Sequence, residues 1–253
     1  MRSCIFTNDN NTIIKLIDHH FSPELSYRDK HEVLFRRINT FLINNNIIQR
    51  NIIDLGAWIG DNSIPWSKNI KGIVYAIDPS ADNCNFIKNT CTHNNITNIK
   101  IIESAISDKN EILSTNDDLT HCSFVYGNCG VDGKNKMTAV SLDYLYETKE
   151  IENVGYIHLD VEGMEYRIIQ GADKLIDKDR PIITFEQHLE LDDYNLIIQH
   201  LNNKNYTIFL IDEVLPHCRP DCRNFIAFPN ELFNETLVHQ IHEYIGRDIL
   251  LKK

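Results

Sequence analysis

The chain has 253 residues, enough for one large α/β domain with a sizeable core. Hydrophobic residues make up 42% and charged residues 24%, the balance of a soluble globular protein. A net charge of -11 argues against a nucleic-acid binder, because neutralising phosphates takes Lys and Arg in excess.

The opening MRSCIFTNDN has no apolar stretch after its Arg, so no secretory leader is expected. No window reaches the roughly 18 apolar residues needed to cross a bilayer, so no membrane partner is expected. Seven Cys without regular spacing suit reduced thiols and a cytoplasmic location. His217-Cys218 followed by Cys222 invites a zinc reading, but no second Cys/His pair completes it, and no metal is expected.

Residues 1–50 read as an N-terminal helical extension. Apolar positions Ile13, Ile14, Leu16 and Ile17 suggest a helix over Thr12 to Phe21. Ser22-Pro23-Glu24 resembles a helix start. Val33, Leu34, Ile38, Phe41 and Leu42 predict a second helix within Lys30 to Ile48. Such helices would pack on a sheet edge or a partner copy, or close over a site, and a homodimer is a reasonable expectation.

From residue 51 to 253 the pattern alternates. Apolar runs at Asn51 to Leu55, Gly72 to Ile77, Lys100 to Ile102, Tyr156 to Leu159, Pro181 to Phe185, Tyr206 to Ile211 and Asn224 to Phe228 predict seven strands. Helical-length intervals separate them, as at Asp82 to Asn94 and Glu162 to Leu175. This predicts an α/β fold, a mostly parallel seven-stranded sheet with helices on both faces. Ligands of such sheets sit beyond the carboxyl ends of the strands.

Three apolar runs end in carboxylates there: Asp78, Asp160 and Glu186, while Asp54 sits inside the first run. A row of acids suits a ligand that carries hydroxyls and positive charge, such as S-adenosylmethionine. DLGAWIG (Asp54 to Gly60) supplies a turn in which Gly56 lets backbone approach the ligand and Gly60 lets the next helix pack closely. It lacks the middle glycine of the dinucleotide fingerprint, which disfavours a nicotinamide enzyme. In IHLDVEGME, Glu162 and Glu165 are either site acids or charges complementing a helix N-terminus. His188, two residues after Glu186, is a candidate base or a surface histidine. His121-Cys122 and His217 read as loop groups, and Phe124, Tyr126 and Tyr144 as a sugar-stacking face or as core.

VYAIDPS, IHLDVEGMEYRIIQGA, VSLDYL and PIITFEQH together resemble the FkbM family of methyltransferases, over about residues 50 to 230. The resemblance implies a Rossmann-like class I methyltransferase fold with S-adenosylmethionine as cofactor. It implies that Asp54, Gly56, Ala57, Trp58 and Gly60 line the methionine and ribose, that Asp78 holds the ribose diol, and that Pro79 and Ser80 lie beside the adenine. Glu103, Ser104 and Ala105 would meet the adenine edge, and Asp160 would face both sulfonium and acceptor. At position 78 the family more often carries Glu, so the shorter Asp makes ribose contact less direct. The implied reaction is O-methylation of a sugar hydroxyl on a small molecule or glycan, for instance a deoxyhexose such as rhamnose. A non-sugar metabolite or lipid hydroxyl, or a non-catalytic subunit, is the alternative. Asp160, Glu186 and His188 are the catalytic candidates. Either Glu186 or His188 acts as base, or Asp160 and Glu186 hold magnesium; with two oxygen ligands visible, the metal-free route is expected.

Overall fold

The computed structural model describes residues 3–7, 13–17, 31–115, 135–190, 194–216 and 218–253. Strands β1 (Ser3–Thr7) and β2 (Ile13–Ile17) form an antiparallel hairpin. The expected helix over Thr12 to Phe21 is therefore corrected to a strand. Three of the five residues of β2 are Ile, whose β-branched side chains favour extended backbone, and β1 supplies the ladder partners. The Ser22-Pro23-Glu24 helix start lies outside the described residues. The second expected helix is present as α1 (Val33–Asn44). Its first-turn N–H groups at Leu34 and Phe35 donate to the Glu213 carboxylate at 2.9 and 3.0 Å.

The main sheet is built from β3 (Asn51–Leu55), β4 (Val74–Asp78), β5 (Ile99–Glu103), β9 (Val154–Leu159), β10 (Ile182–His188), β11 (Tyr206–Ile211), β12 (Cys222–Pro229) and β13 (Leu250–Lys252). Their spatial order is β13-β11-β12-β10-β9-β3-β4-β5. Strands β5, β4, β3, β9 and β10 run parallel, whereas β12 is antiparallel to both β10 and β11, and β13 to β11. The seven expected strands are all present. The eighth, β13, was missed because three residues carry no readable alternation. A separate three-stranded sheet, β6 (Ala105–Ile106), β7 (Glu111–Thr115) and β8 (Asn135–Val140), was also not foreseen.

The central strands are buried on both faces, which is why β3, β4 and β9 read as continuous apolar runs. One face carries α4 (Leu142–Glu147), α5 (Glu165–Gln170), α6 (Asp173–Asp179) and α7 (Tyr194–Asn203), whose Leu145, Ile168, Leu175 and Ile197 pack with Ile53, Ile77, Ile157 and Phe185. The other carries α1 and α8 (Glu235–Ile245), with Phe35, Ile38 and Ile241 against Ile52, Tyr156 and Ile226. Beside them α2 (Ser63–Ser67) and α3 (Ala81–Asn94) bury Ile64 and Ile87 against Ala76. The apolar face of α1, expected to serve a sheet edge or a dimer, is thus spent on the sheet. Among the described residues no helix is long and apolar enough to cross a membrane.

Candidate active site

Five strands of the main sheet, β3, β4, β5, β9 and β10, bring their carboxyl ends to one edge. The loop after β3 is knitted into that edge by its backbone. Gly56 and Ala57 donate N–H bonds to the Ile77 carbonyl at 3.0 and 3.1 Å, and Asp160 donates to Leu55 at 3.1 Å. Gly56 has φ +74° and passes so close to the Asp160 carbonyl that a Cβ would lie 1.9 Å from its oxygen. No side chain fits there. Gly60, at φ +77°, then opens α2, and Trp58 at φ +45° turns its N–H to Asp78 Oδ2 at 2.9 Å.

Asp78 is 4% exposed and anchors this corner. Its Oδ1 accepts from Ser80 N–H at 2.9 Å and from the Asn83 amide at 3.0 Å. Burial pushes its carboxyl up to about 6, against the lowering effect of the three donors. Ser80 caps α3, its side chain accepting from Asn83 N–H. Glu103 stands opposite Asp78 on β5 and is exposed, with half-buried Ser104 and buried Ala105 next to it. Ser104 N–H donates to the Asp78 carbonyl at 3.1 Å. Gly56, Ala57, Trp58, Gly60, Asp78, Pro79, Ser80, Glu103, Ser104 and Ala105 therefore share one edge.

Asp54 is placed elsewhere. Side chains alternate along a strand, so residue 54 emerges on the face of Ile52, beneath α1, and not on that of Ile53 and Leu55. Its Oδ1 lies 2.8 Å from His158 Nδ1, its cross-strand partner on β9, and its Oδ2 accepts from the Ser63 hydroxyl. The His158 ring packs against Phe35 and Trp66. Burial alone would lower the His158 pKa. The hydrogen bond and charge of Asp54, with the charges of Asp160 and Glu32, outweigh it and raise the pKa. The raised value means that this pair's stabilisation is complete below 6.5 and is lost as pH rises through the folded-state pKa. Asp54→Ala strands a buried imidazole. In thermal and denaturant melts it is expected to cost about 3–5 kcal/mol, with the larger loss on the acid side. Sequence reasoning quoted His158 within its motif without giving it a role; the level register of β3 and β9 was the missing signal.

Asp160 follows β9 and Glu186 lies on the adjacent parallel β10, one step beyond the Leu159–Phe185 pair. The two carboxyls stand side by side at neighbouring parallel strand ends. Burial, then the charge of Asp160 beside it, raise Glu186 well above the ordinary carboxylate range. Glu165 braces the turn behind them. It accepts from Val161 and Gly163 N–H groups and from the Gln187 amide at 3.1 Å. Glu162 is exposed at φ +53°.

On the far side of Glu186 lie Cys218, Cys222 and the half-buried His188. The Cys222 thiol donates to Glu186 Oε1, and Cys218 Sγ lies 3.7 Å from the same oxygen and 4.0 Å from His188 Nε2. The neighbouring Cys222 thiol, against burial and with help from His188, lowers Cys218, and Cys222 is raised in return. His121, Cys122, Phe124, Tyr126 and His217 lie outside the described residues, and Tyr144 is exposed on α4.

A glycine loop pressed against the Asp160 carbonyl, with acids at four strand ends, fits an adenosyl group bearing a sulfonium. The close approach at Gly56 leaves the loop backbone bare, and the acidic edge beside it suits a cationic ligand.

Comparison with known proteins agrees. Residues 54–208 match the family described as the methyltransferase FkbM domain. A crystal structure of methyltransferase FkbM from Methylobacillus flagellatus KT superposes with a TM-score of 0.52 at 15% identity, covering 70% of this chain and 43% of that one. The chain thus spans less than half the length of that protein. Precorrin-6y C5,15-methyltransferase from Geobacter metallireducens gives 0.46 at 12% identity, covering 76% and 87% of the two chains. The ribosomal protein L11 methylase from Lactobacillus delbrueckii subsp. bulgaricus gives 0.42 at 15% identity, covering 76% of each. No curated protein sequence matches the chain. Since the domain match takes in more than half of the residues, this chain belongs to the FkbM family of methyltransferases, with S-adenosylmethionine as its cofactor.

Proposed function

We propose that the protein is an O-methyltransferase acting on a sugar hydroxyl, such as that of a deoxyhexose like rhamnose, free, nucleotide-linked or within a glycan. The observation that carries this reading is the placing of Asp160 beside the buried Glu186 at adjacent parallel strand ends. A sugar hydroxyl is a weak acid, so its oxygen attacks only as a base takes its proton. Bound S-adenosylmethionine supplies the electrophilic methyl group. Gly56 and the turn closed by Glu165 fix Asp160 beside the cofactor loop, where it would help orient the acceptor oxygen toward the methyl group. Glu186, polarised by its neighbour, receives the proton. Under this reading Asp78 and Glu103 flank the ribose and adenine. The free thiols of Cys84, Cys91, Cys218 and Cys222 support a cytoplasmic location.

The pH dependence follows from the raised Glu186. The base works when ionised, so kcat is expected to fall on the acid side with an apparent pKa well above 4.5. Burial keeps Glu186 raised in Asp160→Asn, but the added push of the Asp160 charge is gone, so the acid limb should move to lower pH in whatever activity remains. An unmoved limb would separate the two carboxyls.

The acceptor class is tested by mass spectrometry of the purified protein with S-adenosylmethionine and a panel of free and nucleotide-linked sugars. The expected result is one added methyl on a sugar; transfer only to non-sugar hydroxyls would overturn the sugar assignment.

A further inference from the structure

The cluster beside Glu186 has the makings of a metal centre that the methyl-transfer reading does not use. We propose that His188, Cys218 and Cys222 form a zinc site at the carboxyl end of β10, with water at the fourth corner and Glu186 beside it as an outer partner.

The fold brings these residues together by register. Glu186 and His188 are two apart on β10, so their side chains leave the same face of the sheet. Cys222 on the antiparallel β12 is the direct cross-strand partner of His188. Cys218 precedes it by four residues, giving the C-x3-C spacing common in zinc sites. One ligand atom from each of His188, Cys218 and Cys222 lies within 4.8 Å of the others. Cys218 Sγ is 4.0 Å from His188 Nε2 and 3.7 Å from Glu186 Oε1. A tetrahedral zinc, with its bonds to sulfur and nitrogen of about 2.0–2.3 Å, sets its ligand atoms roughly 3.5–4 Å apart. The three ligand atoms of His188, Cys218 and Cys222 need only a slight contraction, and Glu186, already in contact with the Cys222 thiol, stays outside them.

The cluster is also prepared for a metal before one arrives. Leu189 N–H donates to the Asp221 carbonyl at 3.1 Å, Glu190 N–H to Asp221 Oδ2 at 3.0 Å, and Cys222 N–H to Arg219 at 3.0 Å. The turn that carries Cys218 is thereby tied to the end of β10. Two thiols and an imidazole are a soft to borderline donor set, which favours zinc and disfavours magnesium or calcium. On binding, the two thiol protons leave to solvent and the sulfurs coordinate as thiolates. The metal would staple the turn that carries Cys218 to the sheet edge and engage His188 as a ligand, leaving the proton work to the carboxyls. The proposal departs from the expectation of no metal: the His217-Cys218 reading looked for a second Cys/His pair in sequence, and the fold supplies His188 from another strand.

The test is cobalt(II) titration of the reduced, metal-stripped full-length protein, read by absorption and independent of methyl transfer. One equivalent of cobalt should give a thiolate-to-cobalt charge-transfer band with tetrahedral ligand-field bands, and zinc should displace it. Cys218→Ser and Cys222→Ser should each weaken binding at least about 100-fold, beyond the 10–100-fold typical of outer-shell changes. Cys84→Ser, at a buried thiol on α3, should leave the band intact. Should Cys222→Ser fail to fold, Cys218→Ser on the half-buried turn decides. Absence of the charge-transfer band, its survival in the Cys218 and Cys222 variants, or its loss in Cys84→Ser would overturn the site. A protein that binds cobalt as described but methylates no sugar leaves the zinc site standing and removes only the acceptor assignment.

Discussion

Gly56→Ala is expected to abolish S-adenosylmethionine binding and to destabilise the fold more than any other single methyl added to the strand-end loop. The left-handed backbone at φ +74° costs an L-residue about 1–2 kcal/mol before any contact is considered. The new Cβ would lie 1.9 Å from the Asp160 oxygen and 2.9 Å from its carbonyl carbon. Both atoms are backbone, so no rotamer change relieves the overlap; the loop must leave the end of β9. Gly60→Ala is the informative control. Its φ is similar at +77°, but the nearest atom is the flexible end of Ile64 at 3.0 Å. It should cost only the left-handed increment, about 1–2 kcal/mol. Denaturant melts and calorimetry with S-adenosylmethionine check both variants. Equal stabilities and retained cofactor heat in Gly56→Ala would show that the loop does not rest on Asp160.

Glu186→Gln should lower kcat by about 10²–10⁴-fold, the usual worth of a general base, with cofactor affinity kept. The amide retains the shape, yet it cannot take a proton. Because the side chain is 8% exposed and raised by its neighbour, solvent is a poor substitute for it. Glu165→Gln makes a useful contrast. That carboxylate accepts from backbone N–H groups and from Gln187, so its loss should show first in stability. Single-turnover rates with saturating cofactor separate the two effects. Unchanged turnover in Glu186→Gln would take that residue out of the chemistry.

The fold was legible where burial is symmetrical. Runs such as NIIDL and VYAID are apolar because both faces of the sheet are covered, and the carboxylates at their ends mark where the strands stop. The DVEG turn announced Asp160 in the same way. What stayed hidden depends on partners distant in sequence. Asp54 reads as a site acid until the pleat is known, which points it at His158 and Ser63 under α1. Ile13 to Ile17 fits a helical stripe and a strand equally well until β1 pairs with it. Cys218 and Cys222 meet Glu186 only because β12 returns antiparallel beside β10, a connection that spacing along the chain does not reveal.

The most direct measurement uses methyl-labelled S-adenosylmethionine, with the product methyl read by carbon NMR. The expected outcome is a resonance at an O-methyl position on a sugar, lost in Glu186→Gln. A methyl found on nitrogen or carbon, or O-methylation undiminished in that variant, would contradict a hydroxyl acceptor deprotonated at Glu186.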